Sequence, residues 1–322
     1  MAVLDAGAVA KTRPETRQAR TAWGLTAPAL VLMVLILMVP VLVAGVLSFS
    51  NYSLGNPGFD WVGTQNYERL FTRSTYEKMF LATFTYVITV VPISVGLGLG
   101  AALLVHSLGR IGDIYKTIYF LPVMATLLAM AIAWEFMLHP TIGMVNRVLE
   151  TGCGTILETI WPFMAKGCEG GFPVLLGDQR YAIWVVCFVG IWQGFGFNMV
   201  LYLAGLTSVH RELYHAAEMD GAKSAWERFR LVTWPALGPT TVFVVTISCI
   251  RAFQVFDTIE AFWPQGAGPN KSAYVMMFAI FEKGVQQNLI GIGSAITVVF
   301  LAFVMFLTLI QRWLVERKVH YG

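Results

Sequence analysis

His215-Ala-Ala-Glu-Met-Asp-Gly-Ala222 is a short polar stretch set between two long apolar runs, 181–206 and 239–256. Arg211 to Met219 is rich in helix formers, and Asp220-Gly221 is a turn signal. Ser224-Ala-Trp-Glu227 then has the S-x-x-E spacing of a capping box, in which serine and glutamate side chains satisfy free amides at a helix start. Pro235 and Pro239 mark the approach to the next apolar run. The pattern predicts a short helix, a tight turn and a second short amphipathic helix over about 207–235. Ala216, Ala217, Gly221 and Ala222 leave a surface that another protein approaches closely; a solvated connector is the plainer alternative.

The surroundings of this loop are those of a membrane protein. The 322 residues are 57% hydrophobic and only 13% charged, against roughly 25% charged in soluble domains. A hydrocarbon core needs about 20 helical residues to cross. Six runs meet that length: 25–47, 80–105, 117–138, 181–206, 239–256 and 289–310. The fifth is the least apolar, with Arg251 and Gln254 inside it. The fold expected is therefore all-α and polytopic, with six transmembrane helices, a tail over 1–22 and a transmembrane domain over 23–322.

Positive charge orients the bundle. Placing both termini in the cytoplasm puts Lys11, Arg13, Arg17, Arg20, Arg110, Lys116, Arg211, Lys223, Arg228, Arg230, Arg312, Arg317 and Lys318 inside. The longer outside segments hold fewer cations, which agrees with the positive-inside rule. The first 22 residues are polar and the first apolar run is long for a signal-peptide core, so a cleaved leader is not expected. A net charge of +3 gives no reason to invoke nucleic acid.

Leu213-Tyr-His-Ala-Ala-Glu-Met-Asp-Gly-Ala222, followed by Trp226, Phe229 and Thr233-Trp-Pro235, resembles the EAA loop of carbohydrate-type ABC importer permeases. Tyr119-Phe-Leu-Pro122, Ile191-Trp192, Phe197-Asn198, Phe253-Gln-Val-Phe-Asp257 and Gly268-Pro269 are similar to the same family, as is the tail from Val315 to Tyr321. The likeness is to permeases for maltose, trehalose and glycerol-3-phosphate, and within them to the first of two paired membrane subunits. It implies a type I importer fold in a bacterial inner membrane. It also implies a second homologous permease, two copies of an ABC ATPase and a periplasmic solute-binding protein. ATP and Mg would sit on the ATPases, with no cofactor on this chain. Ala216, Ala217, Asp220, Gly221 and Ala222 would form the docking element. The chain departs from the pattern in having His215 at the usual Glu position and one residue more between Gly221 and Pro235.

Polar side chains inside apolar spans usually face protein or water. Trp192, Gln193 and Asn198 in the fourth span, with Gly190, Gly194 and Gly196 beside them, form one such group. Arg251, Gln254, Asp257 and Thr258 form another, with Arg251, Gln254 and Thr258 at i, i+3, i+7 on one expected helical face. Trp192, Phe253 and Phe256 offer flat surfaces for sugar C–H faces, and the amides offer paired donors and acceptors. The plainer reading is that these residues hold helices together. Arg251 suits an anionic sugar derivative, or an ion pair with an acid on the partner subunit. Gly96, Gly98 and Gly100 form a small-residue stripe for close helix packing.

Other chemistry finds little footing. Gly266-Ala-Gly-Pro-Asn-Lys-Ser272 lacks the glycine before lysine of a Walker A loop. Neither HExxH nor G-x-S-x-G occurs, so the chain is not expected to be an enzyme. An ion-gradient-driven secondary transporter is the alternative, and it should show inverted repeats and intramembrane acids. Cys187 and Cys249 lie in apolar runs as small packing residues. Cys153 and Cys168 share an outside loop, where both a disulfide and two free thiols are open. Thiol labelling with and without reductant separates these, since a disulfide predicts two additional labelled sites after reduction.

Overall fold

A computed structural model describes residues 14–316 apart from 57, 140, 146, 149–173 and 265. The two cysteines of the outside loop, Cys153 and Cys168, lie outside the described residues. Helix α1 (Pro14–Met33) continues through a π turn, Val34–Met38, into α2 (Val39–Leu47). The wide turn lies just before Pro40, whose ring clashes with the carbonyl four residues back and donates no hydrogen bond. Among the described residues, the first span has no buried share, and its closest packing is that of α2 against the last helix.

The core is built on two long helices. Helix α4 (Ser74–Ser107) follows the short surface helix α3 (Gln65–Thr72). It buries Tyr76, Met79, Thr83, Tyr86, Val90, Ser94, Gly98, Ala102 and Val105, a stripe at helical spacing. Against it lies α7 (Ala182–Thr207), the central helix of the bundle. Gly98 sets the closeness of the pair: a Cβ there would lie 2.6 Å from Cβ of Asn198. Gly96 and Gly100, the other members of the predicted stripe, face open space.

Between them the chain forms α5 (Gly112–Met124) and α6 (Leu127–Met137), bent 94° apart. The third span was expected as one continuous helix; it is a broken pair. Ala125 and Thr126 are extended, and the Thr126 hydroxyl caps the new helix by accepting from the Ala129 amide at 3.4 Å. After α7 come the loop helices α8 (Arg211–Met219) and α9 (Ala225–Arg228). A π turn, Phe229–Thr233, then leads by way of Trp234–Ala236 to α10 (Gly238–Phe253). Helices α11 (Asp257–Phe262), α12 (Met276–Phe281) and α13 (Ile290–Glu316) complete the bundle. Among the described residues, five helical spans are long and apolar enough to cross a membrane, and a sixth is reached if the bent pair counts as one span. The only β pairing among the described residues is a single bridge, Ser50 with Trp61.

The end opposite the loop helices is held by polar contacts. Asn66 donates to the Ser48 and Ser50 carbonyls at 2.9 and 2.8 Å. Glu282 accepts from Tyr274 and pairs with Lys271 at 3.1 Å. Burial alone would raise the Glu282 carboxyl, but the Tyr274 and Lys271 hydrogen bonds and two lysine charges bring it below the ordinary value. Lys271, the lysine of the glycine-rich stretch, is thus committed to a structural turn.

Gly98→Ala is expected to lower stability by about 1–3 kcal/mol through overpacking, while Gly96→Ala should be nearly neutral. Thermal unfolding of the two variants in detergent checks the contrast.

Candidate functional site: a mid-span cavity and a capped loop

The cavity lies where α4, α7 and the end of α10 meet, with Leu127 of α6 at its rim, and holds about 90 Å³. Gln193 and Asn198 come from α7, Ser94 and Tyr86 from α4, and Ser248 and Arg251 from α10. Gln254, Phe256, Asp257 and Thr258 close one side. Five of the six predicted path residues are therefore brought together. Trp192 is not in the wall; it packs edge-on against Trp134 with ring centroids 5.4 Å apart. A helix places adjacent residues about 100° apart, so Gln193 and Trp192 face different neighbours.

Two further expectations are corrected. Arg251, Gln254 and Thr258 do not share one helical face, because α10 ends at Phe253 and Phe256 is non-helical before α11 begins. Phe253 is not a path surface: it is buried against Phe300 and Phe303. Phe256 does line the cavity, backed by Phe278 and Phe281.

Asn198 is engaged at both ends of its amide. Its amide donates to Ser94 Oγ at 3.3 Å, and its carbonyl accepts from Ser248 Oγ at 2.9 Å. One side chain thus bridges three spans at the cavity floor. Arg251 is placed differently, with its guanidinium over the Phe197 ring at 4.5 Å. Among the described residues it forms no ion pair. Phe197 had been read only as a family-like residue, and its tertiary role has no signature in spacing. Ser94, Ser248 and Tyr86 were also not singled out, although small hydroxyls in apolar spans are a usable signal.

The loop is as regular as its sequence predicts. Helix α8 ends in a Schellman cap: the Gly221 amide donates to the Glu218 carbonyl at 3.1 Å, and the Ala222 amide to Ala217 at 2.9 Å. Gly221 has φ +98°, the left-handed region in which a Cβ is strained. Ser224 and Glu227 form the predicted capping box. The Glu227 carboxylate also accepts from the Lys223 amide at 2.8 Å, and these amide bonds hold its carboxyl below the ordinary value. Arg228 reaches back to Glu218 at 2.7 Å, tying α9 to α8. A π turn, Phe229–Thr233, whose turns are wider than those of an α-helix, lies between the capping box and Pro235.

Of the predicted docking residues, Ala216, Asp220 and Gly221 are exposed and Ala217 is half-buried, whereas Ala222 is buried behind the turn. Ala216, Ala217 and Asp220 line a shallow groove with Leu213, Leu231 and Pro235. Met219 at the tip is 88% exposed. His215, in place of a glutamate, stands 3.9 Å from Glu218.

A multi-pass helical bundle with a polar mid-span cavity and a capped loop outside it is the class that this geometry defines. The chain belongs to the family described as binding-protein-dependent transport system inner membrane component, whose model matches residues 78–320. It is 26% identical to the sn-glycerol-3-phosphate transport system permease protein of Agrobacterium fabrum, over 82% of this chain and 83% of that one. It is 29% identical to the arabinooligosaccharides transport system permease protein of Halalkalibacterium halodurans, over 79% and 75%. Its fold is similar to that of a bacterial ABC transporter involved in the import of the acidic polysaccharide alginate, with TM-score 0.76, 18% identity and 95% and 99% coverage. The chain is thus a transport subunit.

Ser224→Ala should cost about 1 kcal/mol of local helix stability by removing the cap, read as faster hydrogen exchange over Ala225–Arg228. The Glu227 contribution is fully present above its unfolded value of about 4.3 and is lost as pH falls through the depressed folded value. Exchange protection of the Lys223 and Ser224 amides, corrected for intrinsic rates, should fall over that acid window.

Proposed function

We propose that this chain is one of two paired permeases of an ATP-driven importer for a sugar or sugar derivative in a bacterial inner membrane. A periplasmic binding protein delivers the cargo, and two ABC ATPase copies, carrying ATP and Mg, dock on the cytoplasmic loop. The observation that carries the reading is the rigid, doubly capped α8–α9 element, spliced between the two helices that wall the cavity. The names of the two related permeases support a sugar or polyol-phosphate cargo. The likeness to an importer solved in complex with an alginate pentasaccharide-bound periplasmic protein supports delivery by such a partner.

The size of the cavity supports a partner permease. About 90 Å³ falls well short of the roughly 300–1,000 Å³ of sites that enclose a small molecule. The remaining wall must come from elsewhere, and a second bundle of the same kind supplies it. In this reading ATP-driven closure of the ATPases moves α8 and α9 as one body and shifts α7 against the rest of the bundle. The two access states then differ in the contacts that the docked loop makes.

Gly221→Asp should lower ATP-dependent uptake by at least about tenfold, because an unpaired carboxylate at a docked turn is costly to bury and the residue needs a left-handed backbone. Membrane insertion and pairing with the second permease should persist. Uptake at the parent rate in proteoliposomes would return the loop to a solvated connector.

A further inference from the structure

We propose, on the basis of the importer reading above, that Arg251 is an anion-recognition position of the cavity, and that the cargo is a hydroxylated molecule bearing a carboxylate or a phosphate ester. Arg251 is a cation near the middle of the bundle, in the last turn of α10, and it lines the cavity. A guanidinium is always charged and is placed in a span only where something compensates it. Within the chain that compensation is incomplete.

The Phe197 ring covers one face of the guanidinium at 4.5 Å, which orients the planar fork but leaves its charge in place. Among the described residues, the guanidinium makes neither a side-chain hydrogen bond nor an ion pair; the Arg251 carbonyl accepts from the Gln254 amide at 3.2 Å. Asp257 is in the wall of the same cavity yet is not paired with it. The contrast with Asn198, whose two polar ends are both satisfied by neighbouring serines, is informative. One polar group of the cavity is structural and closed; the other is open.

The N–H fork of arginine matches a planar carboxylate or a phosphate oxygen pair bidentately. Gln193 offers an amide and Asp257 a carboxylate that accepts from hydroxyls. A cargo that joins an acid to several hydroxyls therefore meets each of these groups with its complement. Arg251 is exposed in this chain, so it is the cargo that covers it: a neutral sugar doing so would leave the guanidinium without a counter-charge, which favours the acidic molecule by difference.

The test uses the assembled importer, purified with its partner permease and ATPases, in a background whose four cysteines are replaced. A reporter cysteine is placed at Gln254, which is exposed and lines the cavity. Its reaction rates with sulfonatoethyl and trimethylammonium-ethyl methanethiosulfonate are normalised to those of a free thiol. With Arg251 present the anionic reagent should react about tenfold faster than the cationic one at this range, and Arg251→Gln should abolish the preference. Galacturonate or glucose 6-phosphate should slow the anionic reagent, and whichever protects distinguishes carboxylate from phosphate; glucose should not. Equal rates for the two reagents would overturn the proposal, as an acid from the partner permease would produce them. So would a preference unchanged by Arg251→Gln, or no protection by either acidic sugar. A complex that does not assemble with ATPases would instead overturn the importer reading.

Discussion

The 2.9 Å hydrogen bond from Ser248 to Asn198 ties together the two helices that enter and leave the loop. Helix α7 runs directly into that loop, and α10 emerges from it. A second close approach lies nearer the loop: a Cβ at Gly205 would lie 2.6 Å from the Thr240 hydroxyl and 3.0 Å from Leu237. The pair is therefore fixed at two heights. A side-chain hydrogen bond between spans is worth only about 0.6–2 kcal/mol, but here it is combined with van der Waals contact that only glycine permits. The two helices that flank the loop are thus in direct contact between the loop and the cavity.

Rigidity in the loop itself comes from satisfying backbone groups at both of its corners. The Schellman cap accounts for the free carbonyls at the end of α8, and the capping box for the free amides at the start of α9. The Arg228–Glu218 pair is partly exposed and weak by itself; its role is to fix the angle between two short helices that are already capped. Short helices are marginal in isolation. Tyr214 bonded to Thr233 at 3.0 Å, and the Trp226, Phe229 and Trp234 rings, add the packing that holds them.

Much of this was legible in the residues. Length and hydropathy placed spans one, two, four and six, because a continuous apolar run of about 20 residues has few other fates. The loop was readable in detail since caps are local: Asp220-Gly221 and Ser224-x-x-Glu227 act within a few residues. What was not legible was where apolar helices break. No charge, glycine or proline marks Ala125-Thr126, and the polar Gln254 marks a less apolar run without saying that the helix ends there, so hydropathy does not register either change in backbone. The tertiary partners were equally hidden. Phe253 and Phe256 are three residues apart and of one type, yet the break between them sends the first to the core and the second to the cavity. Trp192 and Gln193 are neighbours with different fates for the same reason of direction.

The most direct measurement is site-specific cross-linking from the loop tip in native membranes. A photo-cross-linker placed at Met219, the most exposed large apolar side chain of the loop, should capture an ATPase subunit, and the yield should change between nucleotide-free and ATP-bound states. Capture of no ATPase, together with labelling of the same position by a membrane-impermeant reagent applied outside the cell, would contradict the account at its root.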